Sequence, residues 1–219
     1  MRRAPIVVVI FGLTAIVWTS SAEIIDRVAV SVGNRAITTS DLDREIRVTG
    51  FLNGTKPDFS RTGRETTVNR LIEQKLIQLE LENSRYQTPN AAQVDPLLEK
   101  FKKDHFRSDE EFRASLAEYG LTEQDVRDQL LWQRTLLLFV DSRFRPAVEV
   151  SEKEIADYFE KDVLPVVRVA TPGKTVTLAE FRDRIEETLT GKRVDEQMSR
   201  WLEEARRRTR IQFQLEVFQ

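Results

Sequence analysis

The sequence predicts a mainly α fold, a multi-helix body closed by a small antiparallel sheet. Three observations carry this expectation. Apolar residues recur at helical spacing in segment after segment, and four segments open with Ser or Thr followed three residues later by an acid, a helix N-cap pattern. Val28, Val30 and Val32 alternate with Ala29 and Ser31 ahead of Gly33-Asn34 and a second short run, Arg35 to Thr38, which reads as a β-hairpin. Ile211, Phe213, Leu215 and Val217 alternate with polar residues as a closing strand. A hairpin alone is marginal in water, so the closing strand is the expected third partner. The composition agrees: 32% charged residues, with only 8 Gly and 7 Pro, favour helices over a β-sandwich.

The elements follow in order. Residues 1–22 carry Arg2 and Arg3, an uncharged run from Ile6 to Trp18, and Ser20-Ser21-Ala22, the pattern of a cleaved secretory signal peptide. That run has 13 residues, fewer than the roughly 17–25 that span a bilayer as a helix. After the hairpin, Ser40 with Asp43 is the expected cap of a helix ending near Gly50. Residues 51–63 read as a loop that also carries Phe51, Leu52 and Phe59. A long helix is expected from Arg64 to Arg85, broken by Thr88-Pro89, and another from Ala91 to Lys103 with Val94, Leu97, Leu98 and Phe101 inward. Ser108 with Glu111 opens a short helix stopped by Gly120. Thr122 with Asp125 opens a long one to Arg143, with Val126, Leu130, Leu137, Val140 and Phe144 on its face. The run Leu136 to Val140 is apolar on every side, so that helix is either central or meets something else. Ser151 with Glu154 caps a shorter helix. Residues 163–176, with Pro165 and Thr171-Pro172-Gly173, read as a linker. A helix from Leu178 closed by Gly191, then a last one bearing Val194, Met198, Trp201 and Ala205, precede the closing strand. The expected organisation is a signal peptide over 1–22, a helical domain over 23–162, the linker, and C-terminal helices and strand over 177–219 that pack back on the helical domain.

The chemistry-bearing residues exclude much. The chain has no cysteine and a single histidine, His105, so disulfides, a lipid-modified cysteine and a Cys/His metal site have no basis. There is no nucleophile elbow and no phosphate-binding G-x-x-x-x-G-K-[ST] loop. No catalytic residue, metal or cofactor is expected. Without residues 1–22 the chain keeps 32 basic against 36 acidic residues, net near −4, which is no footprint for nucleic acid. The acids of Asp41-Asp43 and Asp109-Glu110-Glu111 sit at helix starts, where caps and the helix dipole use them. Arg206-Arg207-Arg208 and Arg210 sit where cations suit a helix C-terminus.

The order of these elements resembles the SurA family of periplasmic chaperones, related to PrsA-type foldases. Ile25 to Asn34 followed by Ile37-Thr38-Thr39-Ser40-Asp41-Leu42 looks like the family's opening strand, turn and helix start. Leu71 to Ile77 resembles its next helix, Phe112 through Leu130 its following helix pair, Pro146 to Ile155 the helix leading out, and Trp201-Leu202 to Phe213 the returning helix and strand. The resemblance implies a SurA N-terminal-like chaperone module that is exported to the periplasm and binds unfolded outer-membrane or secreted proteins through apolar surfaces without ATP. Family members usually insert one or two parvulin isomerase domains near Lys161, where this sequence has only residues 163–176, so isomerase activity does not carry over. The alternatives are a residual peptidyl-prolyl isomerase and a binding protein for one dedicated assembly partner. Phe51, Leu52, Phe59, Phe106, Trp132, Leu136 and Phe139 are the candidate client-binding residues, because apolar surplus on a solvated chain marks either core or a binding surface. The expected partners are unfolded exported polypeptides, with no nucleic acid and no stable membrane insertion after cleavage. A homodimer formed by exchange of the C-terminal helices is compatible with the 163–176 linker.

Overall fold

A computed structural model describes residues 26–84, 86, 88–171 and 175–214. The segment read as a signal peptide, and Leu215 and Val217 of the expected closing strand, lie outside the described residues. The fold is mainly α with one three-stranded antiparallel sheet. Strands β1 (Val28–Val32) and β2 (Arg35–Thr38) form the hairpin, with Val32 opposite Arg35 across Gly33-Asn34. Gly33 takes a positive φ of 59° at the first turn position, which a side chain resists. Strand β3 (Ile211–Phe213) adds to the free edge of β1, so the order is β2-β1-β3 and β1 is central, as the alternation at both ends predicts. Ala29, Val30, Val32 and Ile37 are buried under the helices.

Helix α1 (Thr39–Asn53) starts one cap earlier than Ser40 and Asp43 suggest. Thr38 is the N-cap, and it forms a capping box with Asp41. Two overlapping cap patterns compete here. The pairing of Thr38 with Val28 ends β2 at that residue and decides between them. The helix also runs past Gly50, because Phe51 has a core to enter; Gly54 ends it at a φ of 63°. Helix α2 (Arg61–Glu82) is capped by Ser60, and Pro96 sits in the first turn of α3 (Asp95–His105). Helices α4 (Asp109–Tyr119) and α5 (Glu123–Arg143) start at the caps read from the sequence, Ser108 and Thr122 with Asp125.

Two boundaries differ from expectation. Helix α6 (Glu152–Tyr158) continues through a π turn (Phe159–Val163) into α7 (Leu164–Ala170), so much of the expected linker is helical. Pro165 lacks an N–H and leaves a carbonyl one turn back without its α-helical donor, and the π turn sits at that break. Val163 and Leu164 hold the segment by packing on Phe159 and Ile185. Gly191 does not close a helix either. Helix α8 (Leu178–Arg208) runs 31 residues straight through it, with Ile185 buried on one side of the glycine and Val194 on the other.

Three clusters of buried residues result. The first joins the sheet to α1, α2, the end of α5 and the end of α8, around Ile72, Phe139 and Trp201. The second lies among α1, α3, α4 and the start of α5, and is aromatic: Phe51 meets the rings of Phe101, Phe106, Phe112 and Tyr119 at 5.5–6.0 Å. The third, around Ile155, Phe159 and Ile185, joins α6 to the first half of α8. Arginines fasten α8 along its length. Arg182 pairs with Glu152, Arg193 with Glu154, and Arg206 with Glu73 at 3.1 Å while also donating to the Asn69 carbonyl at 3.2 Å. Among the described residues no helix is long and apolar enough to cross a membrane.

Candidate functional site

The seven residues singled out from the sequence divide among different surroundings. Phe51 and Phe139 are fully enclosed, Phe51 in the aromatic cluster and Phe139 in the sheet cluster, so neither presents a surface to a ligand. That corrects the expectation for both, and the reason is local. Each lies at the crossing of several elements, where a large ring fills the gap that helices of different direction leave. Leu52 and Phe106 are half-buried on the aromatic cluster, and Trp132 and Leu136 half-buried on the sheet cluster. Phe59 is 39% exposed in the loop before α2. The Arg47 and Arg64 guanidinium groups lie 5.8 and 5.5 Å from its ring centre, so its faces are partly taken by cation–π contacts. The structure therefore does not gather these residues into one site.

It gathers others instead. Helices α3 and α5 pack side by side and leave a cleft of about 330 Å³ between them. Leu97 on α3 is 39% exposed and Leu137 on α5 is 58% exposed, and both line this cleft. Phe101 and Leu130 form its half-buried floor. The helical spacing alone places Leu97 and Leu137 inward, and the structure exposes both. The signal that could have corrected it is the company they keep. Leu130, Arg134, Leu137 and Asp141 form one stripe of α5, whereas Trp132, Leu136, Phe139 and Val140 form the apolar stripe that reaches the sheet cluster.

Charge frames the cleft. Lys100 pairs with Asp104 one turn along α3 and holds that carboxyl below its usual range. The His105 ring lies 4.7 Å from that of Phe101. Arg134, exposed between Leu130 and Leu137, makes no ion pair or hydrogen bond among the described residues. A second apolar exposure lies on α7, where Val166 and Val169 are 65% and 83% exposed and no residue is buried.

The one buried carboxylate among the described residues, Glu45, was not anticipated. It sits on α1 with 8% exposure and accepts hydrogen bonds from Thr49 Oγ1 at 3.4 Å and Gln129 Nε2 at 3.3 Å, with Arg70 Nε at 3.3 Å. Burial raises its pKa above the usual value, and the Arg70 charge opposes this only in part. It ties α1, α2 and α5 together. The clustered acids at the helix starts serve in caps and ion pairs. Asp41 completes the cap of α1, Asp43 pairs with Arg64 at 3.0 Å, and Glu111 accepts from the Arg107 N–H at 2.8 Å. No group of His, Cys, Asp and Glu among the described residues has the arrangement of a metal site.

No protein-family model matches this chain, and no curated protein matches it.

Proposed function

We propose that the protein is a periplasmic holding chaperone that binds unfolded exported polypeptides without ATP and without catalysis. The observation that carries this is the α3–α5 cleft. It keeps Leu97 and Leu137 in solvent on a body whose other large apolar side chains are mostly enclosed in three clusters. A shallow apolar surface of that kind binds many sequences weakly, as a holding protein requires. The exposed valines of α7 are a second apolar exposure on the same chain. The resemblance of the element order to SurA-type chaperones, with the export pattern of residues 1–22, points the same way.

The test is an aggregation assay. Purified protein lacking residues 1–22, at severalfold molar excess and without ATP, keeps a denatured outer-membrane protein from scattering light after dilution. Leu137→Asp weakens that protection severalfold while leaving the helical circular dichroism unchanged. Absence of protection by the unaltered protein rejects the holding function. Export is read separately. Fused to a reporter that is active only outside the cytoplasm, residues 1–22 give signal, and replacing Ile10 and Leu13 with Asp abolishes it.

A further inference from the structure

We infer that the α3–α5 cleft selects extended segments in which alternate apolar side chains stand beside an aspartate or glutamate. This rests on the holding function proposed above and states what that site prefers. The dimensions come first. On α3 the cleft is lined from Leu97 to His105, a rise of about 12 Å at 1.5 Å per residue. An extended chain rises about 3.3 Å per residue, so the cleft takes about four residues. Side chains on one face of an extended chain repeat at about 6.6 Å, and Leu97 and Phe101 are about 6 Å apart along α3. Two alternate apolar side chains therefore meet the two apolar steps of that wall.

Charge supplies the rest. The chain as a whole is net negative at −2. The lining of this cleft has the opposite balance: Lys100 and Arg134 against Asp104. Lys100 and Asp104 satisfy each other. That leaves the Arg134 guanidinium without a partner among the described residues, beside the most exposed leucine of the site. A guanidinium next to an apolar floor fits a carboxylate whose neighbours are apolar, and it repels a lysine at the same position. An acidic protein with a net basic cleft thus sorts among apolar segments by the charge that flanks them.

The experiment uses three fluorescent ten-residue peptides with the same Leu-Ser-Leu centre, flanked by Glu, Ser or Lys, titrated with the protein at 50 mM salt and read by anisotropy. The Glu-flanked peptide binds about tenfold more tightly than the Lys-flanked one, with the Ser-flanked peptide between them, and the spread narrows at 0.5 M salt. Arg134→Glu reverses the order. Leu137→Asp, and independently Leu97→Asp on the opposite wall, weaken all three peptides at least fivefold; both positions are exposed, and unchanged thermal midpoints confirm folding. Equal affinity for the three peptides, or an order that survives Arg134→Glu, overturns the inference. The aggregation assay separates the two claims. Protection without charge ranking leaves the holding function standing and removes the selectivity. Charge ranking without protection leaves a peptide-binding cleft and removes the holding function.

Discussion

At the scale of single residues, three side chains carry energetic consequences that follow from their surroundings. Trp201 is buried against Phe139 and Phe144 at 5.4 and 6.2 Å between ring centres, yet its indole N–H finds no acceptor among the described residues. The Arg143 guanidinium lies over the ring at 5.2 Å. A buried donor without a partner costs roughly 1–3 kcal/mol. Trp201→Phe removes that donor while keeping most of the apolar area, so chemical denaturation will place it within about 1 kcal/mol of the parent, whereas Trp201→Ala will lose about 3–5 kcal/mol. Glu45 acts with the opposite sign to most carboxylates. Its folded pKa is raised, so its contribution to stability is fully present below the unfolded value and is lost as pH rises through the folded one. Glu45→Gln will therefore gain stability relative to the parent as pH is raised from 4 to 8, read as the difference between the two unfolding midpoints; a constant difference across that range rejects the assignment. Asp26 shows the common case. Hydrogen bonding from Thr38 leads the causes, with Thr39 and Ser40 adding to it, and the carboxyl is lowered to about 2. A carboxyl titration followed by NMR will find its midpoint near that value.

At the scale of elements, caps were the most legible feature and helix ends the least. Ser108 and Thr122 with Asp125 cap where the sequence places them because the pattern is local: a hydroxyl and a backbone N–H three residues on. Gly191 is the counterexample. It reads as a stop, but a helix stop needs a left-handed glycine with carbonyls to satisfy, and packing on both sides of Gly191 keeps the helix going instead. A methyl group there would meet open space. Gly191→Ala will therefore stabilise by about 1 kcal/mol, the helix-propensity difference. Gly50→Ala will destabilise, because a Cβ at that position lies 2.8 Å from the Thr55 carbonyl oxygen. Thermal unfolding of the two variants gives shifts of opposite sign.

At the scale of the whole molecule, three long helices join three cores. Helices α1 and α5 each contribute to the sheet cluster and the aromatic cluster, and α8 to the sheet cluster and the third cluster. Stability should be highest where β1 is flanked on both edges and covered by α2, and lowest at α7, where no residue is fully buried. Amide hydrogen exchange will find β1 and the middle of α2 slowest and residues 164–170 fastest. Equal protection of α7 and α2 would show that α7 is covered in solution by something outside the described residues.

What the sequence determined alone is the set of features encoded within a few residues: the mainly helical class, the hairpin turn at Gly33-Asn34, several caps, and the need for a third strand. Periodicity and hydrogen-bonding chemistry act over one turn or one strand, so they can be read without knowing the neighbours. Tertiary structure decided which apolar stripe of a helix faces which partner. Leu136 and Leu137 are adjacent and chemically identical, yet one packs on the sheet cluster and the other stands in the α3–α5 cleft, because α5 passes between two partners and its rotation about its own axis is set by both. For the same reason the large rings of Phe51 and Phe139 were drawn into crossings between elements, while the most exposed apolar side chains are smaller ones, Leu137, Val166 and Val169.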